Sequence, residues 1–397
     1  MRIGFVTPEY VTEGYFSGGL ANYLHRASVA LSERGHEVHV FTLSDAADQD
    51  LVHDGVRVHR VAGGRLARWI VRASGGRLRE AGEWIDFGIR AWGRVARVHR
   101  ESRFDVLQFP NYSACGLPSS LFLRVPFAVR LSTWGPEWNE LAGIPATADR
   151  AAGERLEALQ LRVARHVYAP SRSVQKMALA KARLASVDVI PTPFYLSATP
   201  RDPSLFRERF EGKEYLLFFG RYQLHKGFHV LVRALDAIFD AIPGSIAGFV
   251  GLDLPSALAP SMREYAERVC ARHRERLIFA GQTPHSQLYP VIEGARLVVL
   301  PSLVDNLPNA CLEAMALGKA VVGTHGTSFE ELLTDGVTGF LVPPGDPKAL
   351  AAGVIGAWSR GDLAAIGRAA QESVQRFAPE ITIPILERYF ESIVRDG

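Results

Sequence analysis

Residues 18–35 read GGLANYLHRASVALSERG and lie between two short apolar runs, Ile3–Thr7 and Val38–Leu43. Within the stretch, Leu20, Leu24, Ala27 and Leu31 recur at helical spacing on one face, and Gly35 is the residue type that ends a helix. The flanking runs are too short for helices and rich in β-branched and aromatic residues, so they predict strands. A strand–helix–strand unit of this kind gives a parallel sheet with helices on both faces.

The same rhythm continues outward through Val106–Phe109, Phe127–Leu131, Val167–Pro170 and Val187–Ile190. It breaks at residues 191–204, PTPFYLSATPRDPS, where four prolines mark a linker. It resumes with Tyr215–Gly220, Ile246–Gly251, Leu277–Gly281, Leu297–Pro301, Ala320–Gly323 and Gly339–Val342. A chain of 397 residues exceeds what one hydrophobic core usually serves. Two similar α/β, Rossmann-like units joined by a Pro-rich hinge are therefore expected, over 1–195 and 205–376. A last helical pattern, about Ile381–Val394 within 377–397, fits against either unit.

Apolar content of 47% and charged content of 22% describe an ordinary soluble globular protein. A formal charge of +3 is too small to imply a nucleic-acid partner. Three scattered cysteines, Cys115, Cys270 and Cys311, lack metal spacing and read as thiols in a reducing compartment. The opening MRIGFVTPEY is a strand and a turn rather than a secretion signal, and no apolar run is long enough to span a bilayer. These features predict a cytosolic protein. Residues 65–103 break the rhythm, with ten arginines against Glu80, Glu83, Asp86 and Glu101, and with Trp69, Trp84 and Trp92 interleaved. The favoured reading is a helix pair with aromatics packed inward and arginines solvated. The alternative is a basic surface for an anionic membrane or acceptor.

In parallel α/β domains ligands collect at the carboxyl ends of strands. The strand YLLFFG runs into RYQLHKGFHVLVRAL, which places Arg221 and Lys226 in the loop, with Lys226 and Gly227 at a helix start. Two cations beside free backbone N–H groups suit a diphosphate, although solvated loop charges give the same pattern. The strand RLVVLPS runs into LVDNLPNACLEAMALG, where Asn306 or Asn309 is the expected helix cap and Gly318 the helix end. Asp305 is placed to grip a sugar hydroxyl and Glu313 a vicinal diol such as a ribose; taken alone, they could equally cap a turn and favour the helix dipole. Gly18–Gly19 at the first helix start lets a ligand approach the backbone. The DQD at 48–50 has a metal-binding form but reads as solvated loop, the histidines show no metal spacing, and both the dinucleotide and P-loop fingerprints are missing.

This combination resembles the retaining glycosyltransferases of family 4, which share the two-domain GT-B fold. The matching stretches are SGGLANYLHRASVALSERGHEVHVFT, FFGRYQLHKGF, VLPSLVDNLPNACLEAMALGKAVVGT and FEELLTDGVTGFLVPPGDPKAL, with weaker matches at YAPSRSVQKM and VIPTPF. The resemblance implies two Rossmann-like domains with a cleft between them and a final helix crossing back to the first. It implies a transferase moving a hexosyl unit from a UDP- or GDP-sugar, without a metal or other cofactor, to a glycan, lipid-linked or small-molecule acceptor. By this resemblance Arg221 and Lys226 hold the donor diphosphate, with Asp305 also counted as catalytic. Glu313 binds the nucleotide ribose, Asp305 and Asn306, Leu307 and Asn309 hold the donor sugar, and Gly18 and Gly19 face the donor. Asn111, Ser132, Trp134 and Trp138 are the acceptor candidates. Two positions depart from the family: Asp305 stands where Glu is usual, and Ser132 where many relatives have His. The rival functions are a GT-B epimerase or phosphorylase and a non-catalytic sugar-nucleotide or glycan binder.

Overall fold

The computed structural model describes residues 1–13, 18–132, 135–141 and 143–396, without the Glu137 side chain, and divides into two compact units. Met1–Pro136, Pro145–Phe194 and Phe377–Gly397 form the first; Glu137–Ile144 and Tyr195–Arg376 form the second.

The first unit is built on eight strands: β1 (Arg2–Thr7), β2 (Glu37–Ser44), β3 (Gln49–His53), β4 (Val56–Ala62), β5 (Val106–Pro110), β6 (Phe127–Arg130), β7 (His166–Ala169) and β8 (Asp188–Val189). Their order is β3-β4-β2-β1-β5-β6-β7-β8, parallel throughout except for β3. The helix Gly19–Glu33 buries Leu20, Leu24, Ala27 and Leu31 over Ile3, Phe5 and Val40, and the chain leaves it through Gly35 at φ +88°. The helix Pro379–Asp396 feeds Ile383, Leu386, Phe390 and Ile393 into the same core. Burying apolar side chains of this size stabilises by about 1.5–3 kcal/mol each. Its Glu387 also accepts hydrogen bonds from Arg34 and His36, both at 2.6 Å.

Two expectations are corrected here. The strands β3 and β4 were not anticipated, and DQD is exposed as expected but only partly loop, since Gln49 and Asp50 lie on β3. Asp48 accepts a hydrogen bond from the Ala62 N–H at 2.8 Å. Asp50 lies on β3 and pairs with His59 at 2.8 Å and with Arg94. His59 in turn bonds His39 at 2.9 Å, and burial holds both imidazoles below their usual pKa, His39 at about 4. On β4 the His59 imidazole is buried alongside Val56, Val58 and Val61, and β3 is largely exposed, so neither strand reads as a continuous apolar run. Residues 65–103 do form two helices, Leu66–Ala73 and Glu80–Glu101, but their tryptophans do not all pack inward. Trp84 meets Tyr112 and Trp92 meets Phe122, whereas Trp69 is 67% exposed. Neighbouring residues point about 100° apart on a helix, so Trp69 and Ile70 cannot share a face, and Ile70 is the one against Gly82.

The second unit has six parallel strands: β9 (Tyr215–Phe219), β10 (Ile246–Val250), β11 (Leu277–Gly281), β12 (Leu297–Val299), β13 (Val321–Thr324) and β14 (Phe340–Val342). Their order, β11-β10-β9-β12-β13-β14, reverses direction between β9 and β12. At such a switch point the loops leaving adjacent strands diverge to opposite faces and open a crevice for a ligand. In the first unit the reversal falls between β1 and β5.

Candidate active site

The loops that leave β9 and β12, on either side of the switch point, carry Arg221, Lys226 and Asp305. After β9, Tyr222 is buried against Phe228 with ring centroids 4.7 Å apart, while Arg221 stays exposed. The turn closes through Lys226 N–H to Gln223 O (3.2 Å) and Gly227 N–H to Leu224 O (2.8 Å). Gly227 starts the helix Phe228–Ala241 at φ +68°, and a Cβ there would sit 1.8 Å from the Pro301 carbonyl oxygen. Only glycine allows the loop after β12 to approach this closely. Leu303 N–H to His225 O, 2.8 Å, ties the two loops together.

Across that junction Lys226 Nζ donates to Asp305 Oδ2 at 2.6 Å. Asp305 is 8% exposed; its Oδ1 accepts from the Asn306 N–H at 3.1 Å, and its carbonyl accepts from the Ser328 hydroxyl at 2.8 Å. The ammonium and the carboxylate are thus held in one place, so an anion bound by Lys226 lies within reach of Asp305. The helix that follows is Asn309–Ala316. Neither Asn306 nor Asn309 caps it. Pro308 occupies the cap position in extended backbone, no side chain bonds the first turn, and Asn309 is already helical. A proline at the cap fixes the entry angle and leaves the first N–H groups unclaimed by a side-chain oxygen, which suits a ligand oxygen. Leu307 and Asn306 are half-buried on the approach. Glu313 projects from this helix, largely buried, with His285 Nε2 3.4 Å from its Oε1.

Sequence reasoning missed His225 and His285, since neither has a spacing that marks it. His225 is 1% exposed, and neither ring nitrogen has a hydrogen-bond partner among the described residues. Burial, with Lys226 and Arg221 nearby, pushes its pKa down to about 3, so the ring is neutral. Trp138 covers it at 4.0 Å between centroids and lies 5.8 Å from the Lys226 ammonium.

The acceptor candidates are divided between the units. Trp138 belongs with Glu137–Ile144 in the second unit, where Gly143 packs that segment against Leu224 and Ala257. In the first unit Asn111, buried at the end of β5, accepts the Ser132 N–H at 2.6 Å through Oδ1. Trp134 lies outside the described residues. Gly18 occupies the cap position of its helix and Gly19 the first helical position, with no side-chain cap. The Glu9 carboxylate lies against Gly18, 2.7 Å from where a Cβ would be.

Two doubly wound units in one chain, the second with a basic loop and an uncapped helix at its switch point, define the GT-B class of sugar-transferring enzymes. Solved structures agree on the fold. Sucrose-phosphate synthase from Thermosynechococcus elongatus superposes over 100% of both chains with a TM-score of 0.79 at 18% identity. Anabaena HepE, in complex with UDP-glucose, covers 99% of this chain and 100% of its own with a TM-score of 0.73 at 20% identity. Residues 18–193 match the family described as glycosyl transferase 4-like domain, and residues 213–360 match glycosyl transferases group 1. The chain belongs to glycosyltransferase family 4 and is a glycosyltransferase. Among its relatives are a phosphatidyl-myo-inositol mannosyltransferase of Mycolicibacterium smegmatis, 28% identical over 100% of this chain and 95% of that one, and a D-inositol 3-phosphate glycosyltransferase of an Arthrobacter species, 27% identical over 95% and 91%.

Proposed function

We propose that the chain transfers a hexosyl unit from a UDP- or GDP-linked sugar, with retention and without a metal at the donor, to a glycan, lipid-linked or small-molecule acceptor. The observation that carries this reading is the Lys226–Asp305 contact at the β9/β12 switch point, with Glu313 on the helix that follows. Cleaving the bond between the anomeric carbon and the diphosphate oxygen places negative charge on the leaving group. Arg221, Lys226 and the first N–H groups of Asn309–Ala316 stabilise that charge. Asp305 orients a sugar hydroxyl, and Glu313 accepts hydrogen bonds from the ribose diol. The acceptor hydroxyl attacks from the face that the diphosphate leaves and gives its proton to the departing phosphate oxygen. Incubation with a panel of UDP-, GDP- and ADP-sugars and with acceptors, in the presence of EDTA, is expected to yield transfer from one uridine or guanosine donor. Consumption of no donor, or activity lost to EDTA, would count against the reading.

The inositol-directed names of the relatives support testing inositol phosphates and phosphatidylinositol first as acceptors. No helix among the described residues is long and apolar enough to cross a membrane. The helix Leu66–Ala73 nevertheless buries none of its residues and exposes Arg68, Trp69 and Arg72 together. Asp86 pins its start by accepting from Gly64 and Leu66 N–H, at 2.6 and 3.0 Å, so the surface is held in place. An exposed Trp among arginines suits the interface of an anionic bilayer. Co-sedimentation with phosphatidylglycerol vesicles is expected, and it should fall by about tenfold in an Arg68→Ala/Trp69→Ala variant, each basic side chain near such a surface contributing about 1 kcal/mol. Equal sedimentation of both proteins would remove this helix from the account.

A further inference from the structure

The first unit carries a cluster of metal-ligating side chains that the donor chemistry does not use. We propose that His25, His53 and Asp54 form a binding site for one divalent transition-metal ion of the zinc type, with water completing the coordination. His25 lies midway along the helix Gly19–Glu33, His53 is the last residue of β3, and Asp54 opens the turn to β4. His53 lies 28 positions after His25, so the grouping has no signature in sequence spacing. The fold creates it by laying the β3–β4 hairpin along the helix.

The geometry is that of a ligand set. His25 Nε2 lies 2.9 Å and His53 Nε2 3.5 Å from the same Asp54 oxygen, and the three ligand atoms all lie within 4.8 Å of one another. Ligands about 2.0–2.1 Å from a tetrahedral zinc stand about 3.3 Å apart, so both measured separations are close to a tetrahedral edge. Two imidazoles and one carboxylate are the borderline nitrogen and oxygen donors that zinc, cobalt and nickel prefer over calcium or magnesium. The supports are rigid. The turn has two residues with positive φ, Asp54 at +47° and Gly55 at +78°, the tight hairpin form that holds the Asp54 side chain in one direction. Ser32 Oγ donates to the Gly55 carbonyl at 2.9 Å, fastening the turn to the helix beside the cluster. The His25 ring is braced edge-on by Tyr10, which is fully buried and bonded through its hydroxyl to Ser28.

The site lies at the opposite end of the sheet from the ligand loops. The turn precedes Val56, next to the β4 residue Arg57, which pairs with His39 near the start of β2; Gly18 and Asn111 follow the far ends of β1 and β5. A metal there takes no part in sugar transfer. It would staple β3, an antiparallel edge strand, to the first helix.

The test uses full-length, tag-free protein stripped of metal. Cobalt(II) added to one equivalent should give the visible absorption of a four-coordinate site, zinc should displace it, and zinc should raise the melting temperature. His53→Ala and Asp54→Ala, both at partly exposed positions, should abolish the cobalt spectrum, weaken zinc binding more than about 100-fold and leave no zinc-dependent shift. Circular dichroism matching wild type and a cooperative metal-free melt confirm that each variant is folded. Absence of a stoichiometric cobalt spectrum in wild type, or equal zinc affinity in wild type and both variants, would overturn the assignment and leave a hydrogen-bonded surface cluster.

Discussion

Lys226→Ala is expected to lower kcat/KM for the nucleotide sugar by at least about 10²–10³-fold, the usual effect of removing one hydrogen-bond donor from a developing oxyanion. The effect has two parts. The first is the missing cation beside the leaving diphosphate. The second is the Asp305 carboxylate, nearly buried and held by Lys226 at 2.6 Å, which would face the diphosphate unpaired. A Lys226→Ala/Asp305→Asn variant separates them. Binding of the nucleoside diphosphate should recover in part, because the repulsive charge is gone, while kcat stays low. Steady-state kinetics and nucleotide titration on the two variants and wild type measure both parts. Full activity in Lys226→Ala would place the diphosphate elsewhere.

Glu157→Gln is expected to stabilise the protein at neutral pH. Glu157 is 4% exposed on the helix Ala148–Val163, and its Oε2 has no hydrogen-bond partner among the described residues. Burial pushes its pKa up to about 8 despite a hydrogen bond from the Ser113 backbone, with Glu154 and Glu80 adding to the rise. The unfolded chain releases this proton near the ordinary value of 4.5, whereas the native protein keeps it. Its contribution to stability is therefore full below pH 4.5 and is lost as pH rises toward 8. At pH 7 the difference is worth about 3 kcal/mol, and a buried amide hydrogen without a partner returns about 1 kcal/mol of that. A gain of about 2 kcal/mol remains, or about 4–8 °C in Tm for a unit of this size. Melting curves from pH 5 to 8 should slope downward in wild type more steeply than in Glu157→Gln. Parallel slopes would mean that Glu157 ionises normally.

The elements that were legible in the sequence are those with apolar runs. The helix Gly19–Glu33 and the strands on both sides of the linker follow from periodicity, because parallel strands buried on both faces read as continuous hydrophobic stretches. β3 and β4 escaped, although the Asp54–Gly55 pair between them is a hairpin signal. β3 buries none of its residues, and its Asp50 is held by His59 and by Arg94, which lies on a helix far along the chain. The loop residues Arg221, Lys226 and Asp305 could be picked out by type and position, but the contact between Lys226 and Asp305 spans 79 residues and depends on Gly227 letting two loops touch. His225 and Trp138 were illegible as a pair for the same reason. Residues 137–144 precede the linker yet pack with the second unit, and no local pattern encodes that choice. The cap of Asn309–Ala316 was misread because asparagine is the better cap by preference, while Pro308 fixes the backbone one residue earlier.

In the proposed function the β9/β12 switch point grips a nucleoside diphosphate sugar through Lys226 and Glu313. Calorimetric titration of UDP, GDP and their sugars into wild type, Lys226→Ala and Glu313→Ala tests it most directly. One-to-one binding of a uridine or guanosine diphosphate by wild type is expected, weakened at least about tenfold in each variant, since each loses a charged hydrogen bond worth about 1.5–3 kcal/mol. Binding of neither nucleotide by wild type, or equal affinity in all three proteins, would contradict it.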